Sequence, residues 1–176
     1  NYVATGAWPA SWHPQLVQAP AGSYDNLWSV TASGAVVQYG NEDTWNPTTL
    51  STGAALSLAV AADAGIYVAT ADTVWAVEAA GGGFTWNQIA SAPAGVTFTQ
   101  IAAGDVDHVW LLAEGGQTYS LIDPGGNVAF VPETRLPLAA NLAAGYDGTL
   151  WATSPGQAAL YRLISEGAAA AESLPI

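Results

Sequence analysis

The chain has 176 residues and carries Arg135 and Arg162 as its only basic side chains against 14 Asp plus Glu, a formal charge of −12 at pH 7. That balance repels phosphate backbones and anionic membrane surfaces and excludes nucleic acid as a partner. The absence of Cys removes disulfides, thiol nucleophiles and thiolate metal sites, while 8 Trp and 7 Tyr argue against disorder.

Residues 1–24 and 44–62 lack charged side chains, but Pro9, Pro14, Pro20, Pro47 and Gly53 break them, so neither reads as a membrane-spanning helix. The first stretch also lacks the basic start and compact apolar core of a signal peptide. Because the chain opens on Asn1, it reads as a processed or excised product, with an extracellular, secreted location as the expectation.

In chain order, a first short strand is expected at Tyr2-Val3-Ala4-Thr5, and a repeated unit then begins. Its first strand is small-sided and ends in an acidic turn: Ala21-Gly22 to Asp25, Ala61-Ala62-Asp63, Ala102-Ala103-Gly104 to Asp107, and Ala143-Ala144-Gly145 to Asp147. The second strand holds an aromatic among apolar neighbours, Trp28, Tyr67, Trp110 and Trp151, spaced 39, 43 and 41 residues apart. A third strand follows with Tyr39, Trp75, Tyr119 and Tyr161, and a fourth with Thr44-Trp45-Asn46, Thr85-Trp86-Asn87 and Ala129-Phe130-Val131. Gly115-Gly116, Pro124-Gly125-Gly126 and Asp147-Gly148 stand between apolar runs, where hairpins need positive φ. The segment 167–172 is read as irregular.

Four short strands in roughly 40 residues describe one blade of a β-propeller, an all-β fold in which copies stand around a circle. Two stacked sheets would explain the strand density but not the period with its matching aromatics. The expectation is a single domain over 1–176, with units near 21–55, 56–95, 96–138 and 139–176 and residues 1–20 closing the ring.

At Ala143-Ala144-Gly145-Tyr146-Asp147-Gly148-Thr149-Leu150-Trp151 through Tyr161 the chain resembles the tectonin-type propellers; 102–121 is a good second copy, 21–39 a fair one and 61–77 a degenerate one. The resemblance implies a propeller lectin or innate-defence recognition protein with similar glycan sites at blade junctions. Family members usually carry more blades than four. Either this ring is unusually small, or subunits associate into a homo-oligomer, or the first 20 residues add to a further blade.

Trp28, Trp110 and Trp151 read as core between blades. The ligand-stacking candidates are Trp8, Trp12, Trp45 and Trp86, with Asn46, Asn87, Asp25, Asp107 and Asp147 to accept sugar hydroxyls. Asp105, Asp107 and His108 cluster like metal ligands but supply too few oxygens for calcium, so they read as an exposed turn and no cofactor or metal is expected. Only His13 and His108 are histidines, and no Gly-x-Ser-x-Gly elbow occurs. The resulting expectation is a multivalent lectin for neutral glycans that is not an enzyme; a propeller binding a protein partner is the alternative, and a carboxylate-dependent glycoside hydrolase a weaker one.

Overall fold

Runs of Val, Ile, Trp, Tyr and Thr bounded by Gly, Pro and Asp pair into ladders because branched and aromatic side chains suit a pleated surface. The computed structural model describes residues 15–17, 28–39, 45–48, 53–62, 65–80, 83–105, 107–123, 127–164 and 171–174. Among these residues the strands form four antiparallel sheets of four, each a meander in chain order. The first holds β1 (Gln15–Val17), β2 (Trp28–Val30), β3 (Val36–Tyr39) and β4 (Trp45–Thr48). The second holds β5 (Ser57–Val60), β6 (Ile66–Ala69), β7 (Thr73–Ala80) and β8 (Gly83–Ser91). The third is β9 (Phe98–Asp105), β10 (His108–Ala113), β11 (Thr118–Ile122) and β12 (Ala129–Pro132). The fourth is β13 (Asn141–Ala144), β14 (Thr149–Thr153), β15 (Leu160–Ile164) and β16 (Glu172–Leu174).

The first strands β1, β5, β9 and β13 stand side by side and tie the sheets together. Ala62 N–H donates to the Gly104 carbonyl at 2.8 Å, and Ile101 N–H donates to Ser57 Oγ at 3.1 Å. Gln100 reaches across to β13 with both ends of its amide: Nε2 donates to Leu142 O and Oε1 accepts from Leu142 N, each at 2.9 Å. This crowding explains the small residues of the first strands. A Cβ on Gly104 would lie 2.6 Å from the Gly145 carbonyl oxygen of the next blade. Gly104→Ala is therefore expected to cost about 1–3 kcal/mol through overpacking; a urea unfolding midpoint equal to that of the unaltered protein would show that the strands do not approach this closely.

Successive side chains on a strand face opposite ways, so the second and third sheets each feed two cores. Trp28, Val30 and Val36 meet Leu58, Val60, Ile66, Val68 and Val77 between the first and second blades. Ala59, Tyr67 and Val74 meet Phe98, Ile101, Val109, Leu111 and Phe130 between the second and third. Trp110 and Leu112, one residue out of step with Val109 and Leu111, point to the other side and pack on Leu142, Leu150, Ala152 and Leu163 of the fourth. Trp28 and Trp110 thus lie in cores between blades. Trp151, at the same repeat position, is only half-buried and lies under the Arg162 guanidinium, 5.9 Å from its ring.

The propeller expectation is met in strand count, order and spacing. The first blade opens at Gln15, inside the stretch 1–20 assigned to ring closure. The expected strand at residues 2–5, and with it the closure of the ring, lies outside the described residues. Part of the segment read as irregular is ordered into β16, where Glu172 pairs with Arg162 across the ladder.

Candidate functional site: a groove on the third blade

The turn from β9 to β10 places Asp105, Asp107 and His108 at one end of the third blade. Asp105 Oδ1 accepts from the Asp107 N–H at 3.0 Å and lies 2.6 Å from His108 Nδ1. A carboxylate only accepts, so Nδ1 carries a proton, and the tautomer that fits this bond has its lone pair on Nε2. The ladder slips between His108 and Val109, and the imidazole stacks on Trp110 with centroids 5.8 Å apart. Strand irregularities of this kind re-aim side chains next to functional sites. Both members of the pair remain about a third exposed.

Ser120, Glu133 and Arg135 line the same groove. Glu133 is 6% exposed, yet it is fully engaged. Its Oε1 accepts from the Arg135 backbone N–H at 3.1 Å and from Nε at 2.9 Å, while Oε2 accepts from Nη2 at 2.6 Å and from Ser120 Oγ at 3.1 Å. Burial pushes the Glu133 carboxyl up, but the hydrogen bonds and charge of Arg135, helped by Ser120, outweigh it and hold the group below the usual carboxylate range. The Glu133 hydrogen bond in turn raises Arg135, against a smaller opposing effect of burial.

A group whose folded pKa is depressed contributes stability above its unfolded value and loses it as pH falls through the folded one. Arg135→Ala leaves the Glu133 carboxylate buried without its main partner. The variant is expected to be about 2 kcal/mol less stable at neutral pH, a penalty that shrinks as acid protonates Glu133. Urea unfolding at both pH values checks this, and a penalty independent of pH would remove the charge argument.

Between these groups lies a groove of about 370 Å³, with Trp110, Leu121, Ile122 and Val131 among its apolar lining. Of the residues expected to bind ligand, Asp107 lies on this groove. Asp147 is exposed in the corresponding turn of the fourth blade. Its carboxylate accepts from the Thr149 N–H at 3.0 Å, the main cause of its lowered pKa, and Gly148 follows at φ 74°. Trp86 is half-buried on β8 against the core that holds Trp28 and Val77, and Asn87 beside it is exposed. Trp45 and Asn46 belong to β4, opposite Tyr39 and Gln38. Trp8, Trp12 and Asp25 lie outside the described residues. Among the described residues no three His, Asp or Glu side chains are grouped to hold a metal.

Sequence reasoning picked out the Asp105–His108 cluster as a turn, but it missed Ser120, Glu133 and Arg135. The available signal was Arg135 itself, one of two cations in the chain, two residues after a glutamate. The other cation, Arg162, pairs with Glu172 at 3.1 Å.

No family model matches the chain, and no curated protein matches it significantly. Solved structures do. Virginiamycin B lyase from Staphylococcus aureus superposes with a TM-score of 0.65 at 17% identity, over 96% of this chain and 57% of that one. The dihydro-heme d1 dehydrogenase NirN in complex with DHE gives 0.63 at 12% identity, over 94% and 37%. YCF48 bound to D1 peptide gives 0.59 at 16%, over 94% and 58%. The chain thus spans little more than half the length of the lyase. The expectation that the protein is not an enzyme is corrected by these neighbours, since a lyase and a dehydrogenase are among them. That expectation rested on missing nucleophile motifs, whereas a propeller assembles its sites from turns of separate strands. The tectonin resemblance holds at the level of the fold, because these neighbours are propellers of other kinds. At such low identity the likeness establishes one thing about this chain: it is a β-propeller.

Proposed function

We propose that the third-blade groove is the site at which this protein binds and hydrolyses an ester, with His108 as general base and Asp105 holding it in orientation. The observation that carries this reading is the 2.6 Å Asp105–His108 bond at the edge of the groove. A base oriented by a carboxylate is the arrangement that lets a neutral imidazole take a proton from water. In the proposed step Nε2 removes that proton as the water oxygen adds to the ester carbonyl carbon. The carbon–oxygen bond to the alcohol then breaks, and the imidazolium returns its proton to the departing alkoxide, leaving an acid and an alcohol. The enzymatic neighbours support the reading by analogy of fold alone.

The test is a panel of chromogenic esters of graded size, assayed with the unaltered protein and with His108→Ala. Saturable hydrolysis that disappears in the variant supports the proposal, and a panel left untouched by the unaltered protein overturns it. Glycan binding without turnover, the expectation drawn from the repeat, is the competing result. Its marks are saturable sugar binding that Asp107→Asn weakens and no ester hydrolysis by either protein.

A further inference from the structure

A second groove, of about 360 Å³, lies on the side of the third blade that faces the second, where Tyr67 and Ile89 approach Leu121 and Val128. The two grooves share Asp107, Leu121 and Ile122. Asp107 belongs to the β9–β10 turn and Ile122 ends β11, and the antiparallel meander brings both to the same end of the blade. They form a ridge with a hollow on each flank.

The chemistry of this saddle is one-sided. Asp107 and Asp123 are exposed on and beside the ridge, and Glu133 lies in one hollow. The only cation lining either hollow, Arg135, is already forked onto Glu133. The apolar surface on offer is aliphatic, with Ile122 41% and Val131 42% exposed. The aromatics here are withdrawn: Tyr67 and Trp110 are buried. A neutral sugar needs open aromatic faces and gains nothing from a net charge of −12, whereas a cation is drawn in by that field. A single metal ion is not served by a site without three grouped ligands among the described residues.

We infer that the saddle binds an extended cationic peptide segment, its Lys or Arg side chains directed to Asp107 and Asp123 and its apolar side chains lying on Ile122 and Val131. The inference rests on the reading of the third-blade groove as the ligand site and names the class of molecule that enters it, the ester being carried on or beside that segment.

The experiment is fluorescence anisotropy with three labelled peptides of equal length, alternating Lys and Leu, Ser and Leu, or Glu and Leu. The unaltered protein is expected to bind the Lys peptide alone, with affinity falling as salt is raised. The double variant Asp107→Asn with Asp123→Asn should bind it about tenfold more weakly, and Ile122→Ser about fivefold more weakly. Asp72→Asn with Glu114→Gln removes the same charge from the β6–β7 and β10–β11 turns, at the opposite end of the blades, and should change binding less than twofold. Equal weakening by the two double variants would reduce the effect to net charge and overturn the inference, as would equal binding of the Ser peptide or none of the Lys peptide. Ester turnover is read separately. Hydrolysis without peptide binding sinks this inference alone, and peptide binding without hydrolysis sinks the proposed reaction alone.

Discussion

Replacing Trp110 by alanine is expected to lower the free energy of unfolding by about 3–5 kcal/mol, and the same change at Trp151 by about 1–2 kcal/mol. The two tryptophans hold the same repeat position and differ in surroundings. Trp110 is 3% exposed in the core between the third and fourth blades, where removal of the indole leaves a cavity lined by Leu142, Leu150 and Leu163. Trp151 is half-buried under Arg162, so water fills much of what alanine vacates. Urea unfolding of both variants under one set of conditions makes the comparison. Equal losses would mean that a further blade covers Trp151 as the fourth covers Trp110, and would contradict the exposure described here.

His108→Ala is expected to lower kcat/KM for the best ester of the panel by about 10²–10⁴-fold, the range that a positioned general base contributes. Because His108 is only partly buried, unfolding free energy should change by less than about 1 kcal/mol. Asp105→Asn keeps an oxygen near Nδ1 but loses the charge that stabilises the imidazolium, so its fall should be smaller and confined to kcat. Rates are compared with melting curves for each protein. A His108→Ala variant that hydrolyses the ester as well as the unaltered protein would overturn the proposed role of His108, and lost activity with lost structure would be separated by His108→Gln, which retains the side-chain bulk.

The architecture was legible because it is written four times. Trp28, Tyr67, Trp110 and Trp151 fall on the second strand of each sheet, and Trp45, Trp86 and Phe130 on the fourth. One reading of the period therefore located most of the strands. The opening blade was harder. Gly22, six residues before Trp28 like Gly104 and Gly145 before their aromatics, drew the expected strand toward Ala21, while the ladder pairs Val17 with Trp28.

The groove was illegible for a different reason. His108 comes from the start of β10, Ser120 from β11, and Glu133 from just beyond β12. Strand pairing alone brings them to one hollow, and a repeat read along the chain hides residues that do not repeat. Glu133 also defeats the usual expectation that a lone glutamate is solvated, since Arg135 and Ser120 compensate its burial.

The sheets are contiguous in sequence, while every core lies between two of them. During synthesis the first blade thus emerges with its oily face bare, and it acquires shelter only when Leu58 to Val77 have left the ribosome. Each later blade completes the one before it and exposes a new face of its own. A blade whose neighbour has not yet emerged presents an apolar face, and transiently exposed surface of this kind is where chains associate wrongly.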